Sequence, residues 1–242
     1  KRELSSHLNS PVAYIAGVFF LSFTSVWFFS VQQFLAVGIA SLRGYFSIMP
    51  IVFILLIPAL TMSSWAEERR LGTDELLLTL PFREYQIVLG KFVASVTVLL
   101  GIITLTLFVP FTVTPLGRFE PGQIVGQYIG TVLLGCAGLA IGQFVSSFFR
   151  NQISAFIVTA LVLLLLTLIN QATAFADVSD GVGRAIAYLS LDTHYRAFVR
   201  GVVDTRDVIY FVGLSFVALY GNTKSLTLGR YRTTARHNLL RH

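Results

Sequence analysis

Charge-free apolar runs recur along the chain at Val12 to Phe29, Tyr45 to Trp65, Phe92 to Leu116, Pro121 to Phe149, Ile153 to Ala176 and Val208 to Thr223. They are continuous rather than alternating, and most reach the roughly 20 residues a helix needs to cross a bilayer. In lipid every backbone polar group must be satisfied within the chain, so unbroken runs of this kind predict helices and not a barrel. The pattern predicts an all-α polytopic membrane protein with six spans. The last run, at about 24 Å, is the shortest. It spans comfortably only if Lys224 snorkels and the helix continues towards Leu228.

Composition agrees with the pattern. Of 242 residues, 55% are apolar and only 12% are charged, against about 25% charged in soluble domains. The single cysteine, Cys136, excludes an internal disulfide and a cysteine-rich metal site. The first run is too long for a signal peptide and lacks a small-residue cleavage pattern, so it reads as a retained span. Charge sets the orientation. With the N-terminus inside, twelve of the eighteen Lys and Arg residues fall on the cytoplasmic side, and the acidic residues divide equally. Both termini are therefore expected in the cytoplasm. The basic tail around Arg230 and Arg232 suits an anionic inner leaflet better than nucleic acid.

Two connections are long enough to carry structure. Residues 66–91 form the inner one, with Glu67-Glu68-Arg69-Arg70-Leu71-Gly72-Thr73-Asp74-Glu75 at its start. Thr73 is a suitable N-cap, and Asp74 and Glu75 favour a first turn, so a short amphipathic helix is predicted there. Pro81 ends that helix and suits the first position of the one rising into the third span. The connection reads as a stiff elbow. Residues 177–207 form the outer one, where Ile186, Tyr188, Leu189, Phe198 and Val202 among Arg and Asp suggest one or two helices on the membrane surface. His194 and Asp192 lie there without a further ligand nearby, which disfavours a metal or catalytic pair. The fourth and fifth spans reverse at Phe149-Arg150-Asn151-Gln152 and should be antiparallel neighbours.

At the elbow the chain resembles a known family. Gly72-Thr73, Glu75-Leu76-Leu77, Leu80-Pro81 and Ile87-Val88-Leu89-Gly90-Lys91 look like the cytoplasmic signature of type-2 ABC exporter permeases. Arg2-Glu3-Leu4, Ser10-Pro11-Val12-Ala13-Tyr14, Asn151-Gln152, Arg200-Gly201-Val202 and Asp207-Val208-Ile209-Tyr210 are similar, more narrowly, to the GldF-type permease associated with gliding motility. The resemblance implies six spans and two permease copies, or one copy with a related subunit. It also implies an inner-membrane location and a separate ATPase that docks on the inner face and carries the ATP and magnesium. It leaves room for an extracytoplasmic auxiliary subunit and offers nothing to nucleic acid. It assigns ATPase coupling to Glu67, Glu68, Arg69, Arg70, Gly72, Thr73 and Glu75, with Pro81 at the elbow. The piece ahead of Pro11 corresponds to the family's interfacial helix.

The residues themselves fit that expectation. No phosphate-binding Gly-x-x-x-x-Gly-Lys-[Ser/Thr] occurs, and no charge sits mid-span as an ion relay would require. No catalytic constellation is visible, so an enzyme is not expected. Gly126, Gly130, Gly135, Gly138 and Gly142 punctuate the fourth span at spacings that let helices approach closely. Phe19, Phe20, Phe23, Trp27, Phe28 and Phe29 crowd the first span and read as lipid- or dimer-facing filler. Pro50 and Pro58 are expected to kink the second span and Pro110 the upper third. Gln143, Thr104, Thr106, Asn170 and Gln171 are the polar residues within spans, and buried amides there normally find a helix partner. The expected function is the membrane half of an ATP-driven exporter. A membrane scaffold for a motility or envelope assembly, remodelled by an ATPase, is the alternative. Neither substrate nor transport direction is legible.

Overall fold

The computed structural model describes residues 11–32, 41–73, 83–117, 119–175 and 188–239, and every regular element among them is helical. The segment ahead of Pro11, Glu75, Pro81 and residues 177–187 lie outside the described residues. In chain order the helices are α1 (Pro11–Val26), α2 (Arg43–Ser47), α3 (Met49–Thr61), α4 (Ser63–Leu71), α5 (Glu84–Leu105), α6 (Phe108–Val113), α7 (Pro121–Ser146), α8 (Gln152–Phe175), α9 (Leu191–Val199) and α10 (Thr205–Leu239).

Among the described residues, five stretches are long and apolar enough to cross a membrane: Pro11–Val31, Met49–Leu71, Glu84–Val113, Pro121–Ser146 and Gln152–Gln171. The helix α10 is not among them, because Asn222, Thr223 and Lys224 dilute its apolar stretch. Its 35 residues nevertheless remove the length problem posed by the sixth run, since the helix passes well beyond Leu228. These five stretches thus hold the apolar framework, and α10 adds a long helix beside it.

The breaks within the spans have local causes. α1 widens at its end into a π turn over Trp27–Val31, where the Gln32 N–H donates to the Trp27 carbonyl at 2.9 Å. The extra residue turns Phe28 inward against Tyr45, the ring centroids 5.6 Å apart. Phe20 and Phe28 are fully buried, so the first-span aromatics are not uniformly filler as expected; Phe19, Phe23 and Phe29 are the exposed ones. Pro50 heads α3, where its missing N–H costs nothing, and the helix is interrupted just before it at Ile48. Pro58 lies inside α3, whose break comes at Met62. In the third span the break falls at Thr106 and Leu107, ahead of Pro110.

α7 sits among α3, α5, α8, α9 and α10. Its glycines meet different neighbours. A Cβ on Gly126 would lie 2.9 Å from the Gly201 carbonyl oxygen, and one on Gly138 would lie 3.2 Å from Ile57. At Gly130 it would overlap Phe198, at Gly135 Leu99, and at Gly142 Thr61. Gly201 itself turns the chain with φ of +83°, a conformation glycine adopts without strain. α7 and α10 both run from the α9 end of the bundle to the opposite end. Gly126 meets Gly201 at one extreme, and Ser147 meets Ser225 at the other. α8 runs back along α7 as the short reversal requires.

Candidate functional site

The charged strip that opens the elbow is the C-terminal end of a helix that begins inside the bundle. α4 carries Trp65 and Ala66 on its buried face, then Glu67, Glu68, Arg69 and Arg70. Arg69 and Arg70 occupy its last turn, where the helix dipole favours cations. Gly72 closes the helix in the left-handed conformation, φ +69°, its N–H donating to the Glu68 carbonyl. The Thr73 hydroxyl donates to that same carbonyl at 3.4 Å. So Thr73 serves the end of α4, while the amphipathic helix expected after it lies outside the described residues. Glu67 and Arg70 approach to 3.6 Å on the exposed side, a weak surface pair.

The third span begins earlier than the charge pattern implies. α5 starts at Glu84, with the Gln86 side chain accepting from the Arg83 N–H at 3.1 Å. Its first helical residue is therefore Glu84, and the expectation that Pro81 opens it is corrected: the Gln86 side chain supplies the cap. This places Lys91 two turns inside the helix, where it is only 3% exposed. Its Nζ donates to Glu68 Oε1 at 2.7 Å and lies 5.0 Å from the centre of the Trp65 ring. A buried ammonium without such partners would be costly, and both carboxylate and aromatic face offset that cost.

α7 supplies the third fastening. Ser146 Oγ accepts from the N–H groups of Trp65, at 3.2 Å, and Ala66, at 3.3 Å, and donates to the Met62 carbonyl at 3.2 Å. At the α3–α4 break the Trp65 N–H lies in the first turn of α4 without an intrahelical acceptor, and the Ser146 hydroxyl takes it up together with the Ala66 N–H. One turn earlier, Gln143 Nε2 donates to the Val88 carbonyl of α5 at 3.0 Å. Trp65, Val88 and Leu226 form a small apolar cluster of their own beside this site, joining α4, α5 and α10.

The structure therefore brings together Glu68 with Lys91, Trp65, Gln143 and Ser146, and leaves Glu67, Arg70, Gly72 and Thr73 towards the exposed end. Lys91, Trp65 and Ser146 escape the sequence reading as site residues. Only the motif ending at Lys91 hinted at them, because a pair 23 residues apart leaves no periodic trace.

At the other end, His194 and Asp192 do not pair. Asp192 binds Arg196 at 2.6 Å, whereas His194 Nδ1 meets Asp207 at 2.6 Å and Nε2 faces the Tyr188 carbonyl at 2.9 Å. The His194 ring stacks on Tyr210 with centroids 3.8 Å apart, which pins α9 to the start of α10. Tyr195, fully buried, shares a hydrogen bond with Thr131 at 2.9 Å, and burial pushes its phenol above the usual tyrosine range. No group of three or more metal-ligating side chains occurs among the described residues.

A bundle of long apolar helices with a charged helix end clamped into it defines a polytopic helical membrane domain. The chain matches the ABC-2 family transporter protein family over residues 12–191, and it belongs to that family. Membrane domains of this family are non-catalytic and typically partner with a separate ATPase subunit and form oligomers in the membrane. No curated protein matches the chain.

Proposed function

We propose that this chain is the membrane-spanning subunit of an ATP-driven exporter of the GldF type, with six spans and both termini in the cytoplasm of a bacterial inner membrane. Two permease copies, or this chain and a related one, pair around the pathway. An ATPase partner docks on the elbow and carries ATP and magnesium. The observation that carries this reading is the clamp of Glu68 onto Lys91 together with Ser146 on the α4 backbone. A push delivered at Glu67, Arg69, Arg70, Gly72, Thr73 or Glu75 meets a lever fixed to α5 and α7, so it moves helices instead of bending a loop. Family membership supports the partner, and the motifs at Arg2, Asn151 and Asp207 support the GldF-type assignment.

The elbow is tested by Gly72→Pro in the reconstituted transporter. Proline cannot adopt φ of +69° and lacks the N–H that closes α4. ATP hydrolysis should persist while its coupling to transport is lost, with the spans still folded. Normal substrate-dependent activity in that variant, or absence of any ATPase from the complex purified in mild detergent, would refute the coupling reading. The second outcome would favour the scaffold.

A further inference from the structure

Among the buried side-chain atoms of the described residues that have no hydrogen-bond partner are Trp65 Nε1, Gln143 Oε1, and both Asn222 Nδ2 and Oδ1. Asn222 is fully buried and Gln143 is 1% exposed. An unpaired amide or indole N–H removed from water is costly, so three such side chains on adjoining helices represent a local deficit.

Their placement is complementary. α7 and α10 run parallel here, with Ser147 Oγ and Ser225 Oγ 3.4 Å apart. Gln143 lies one turn before Ser147, and Asn222 one turn before Ser225, so both stand at the same level. The ring of Phe144 against Gly221 marks that level too. Asn222 also falls between Leu219 and Leu226 on the stripe of α10 that packs on Trp65 and Val88. The stripe of α10 that carries Asn222 thus packs on α4 beside Trp65, at the level of Gln143 on α7. Each has the chemistry the other lacks: indole N–H for Asn222 Oδ1, and Asn222 Nδ2–H for Gln143 Oε1.

We infer that Trp65, Asn222 and Gln143 form a partner-switching polar relay, open in the conformation described and closed by hydrogen bonds in a second conformation of the transport cycle. Sliding or rotation of α10 against α4 and α7 joins all four atoms. The deficit in the open form is recovered in the closed one, which biases the bundle towards the second state and sets α10 as the element that moves. The trigger, a push at the elbow, rests on the proposed function; the two-state relay is a property of the bundle alone.

The test uses the purified complex carrying Trp27→Phe, which leaves Trp65 as its permease tryptophan, since the chain has two. Trapping the complex with a nucleotide analogue should shift Trp65 emission to longer wavelength as its N–H gains a partner, and Asn222→Leu should abolish the shift. Without nucleotide, Asn222→Leu should raise the melting temperature of the permease, because it replaces an unpaired buried amide by an apolar group of similar size. A lower melting temperature in Asn222→Leu overturns the inference, since it means that Asn222 is already bonded at rest. An unchanged emission on trapping, or an equal shift in Asn222→Leu, overturns it as well, with the ATPase coupling still intact. An ATPase indifferent to the permease would sink the coupling reading instead; the melting comparison would still decide the relay.

Discussion

Lys91 Nζ and Glu68 Oε1 are 2.7 Å apart, joining the end of the second long helical segment to the third across 23 residues of sequence. The lysine side chain is 4% exposed and the carboxylate 18%. Removing one member of a buried pair leaves the other charge uncompensated. Lys91→Met should therefore cost about 3 kcal/mol, whereas the Glu68→Gln/Lys91→Met double variant should lose clearly less than the two singles combined. Thermal melts of the four proteins in one detergent measure the coupling; additive losses would mean that the pair contributes no interaction.

Ser146 Oγ accepts from two N–H groups beside the α3–α4 break, those of Trp65 and Ala66. Ser146→Ala should destabilise the protein by about 1–3 kcal/mol. The loss should concentrate at the elbow: amide hydrogen exchange at Trp65 and Ala66 should speed up while the centre of α8 is unchanged. Uniform acceleration along the chain would contradict this local role.

Gly130 lies against Phe198, where any Cβ overlaps the ring. Gly130→Ala should cost about 1–3 kcal/mol by overpacking, and Phe198→Leu in the same chain should recover part of it. Gly101, with nothing within 4 Å of its Cβ position, is the control, and alanine there should be tolerated. Equal losses at both positions would refute the close approach.

Tyr195 is buried and its phenol is raised above the usual range. The sign follows: above about pH 10 the unfolded chain ionises this phenol while the folded one keeps it neutral, so stability falls as pH rises from there. Tyr195→Phe should flatten that part of the pH–stability curve. It should also remove a late step from the alkaline absorbance titration. A phenol that titrates with the exposed tyrosines would contradict its burial against Thr131.

Much of the architecture was legible because lipid imposes one rule on every residue of a span. Phe92 to Leu116 or Ile153 to Ala176 has few ways to satisfy its backbone except as a helix. The α7–α8 reversal followed from a connection too short to allow anything else. Boundaries were less legible where side chains set them. Lys91 reads as a loop charge until Glu68 and Trp65 are seen around it, and Glu84 opens α5 because Gln86 reaches back to Arg83, a contact no hydropathy window registers. The pairing of His194 with Asp207 instead of Asp192 has the same origin: helix spacing on α9 turns Asp192 towards Arg196.

The sequence alone determined that this protein is a helical membrane domain and where most of its helices run. These are consequences of composition and periodicity, which act residue by residue. The tertiary structure decided what the elbow is fastened to: a lysine from α5, a serine from α7 and an apolar cluster shared with α10. Such contacts depend on the rotation and depth of whole helices relative to one another. Every side chain along a span contributes a little to that setting, so no single motif encodes it.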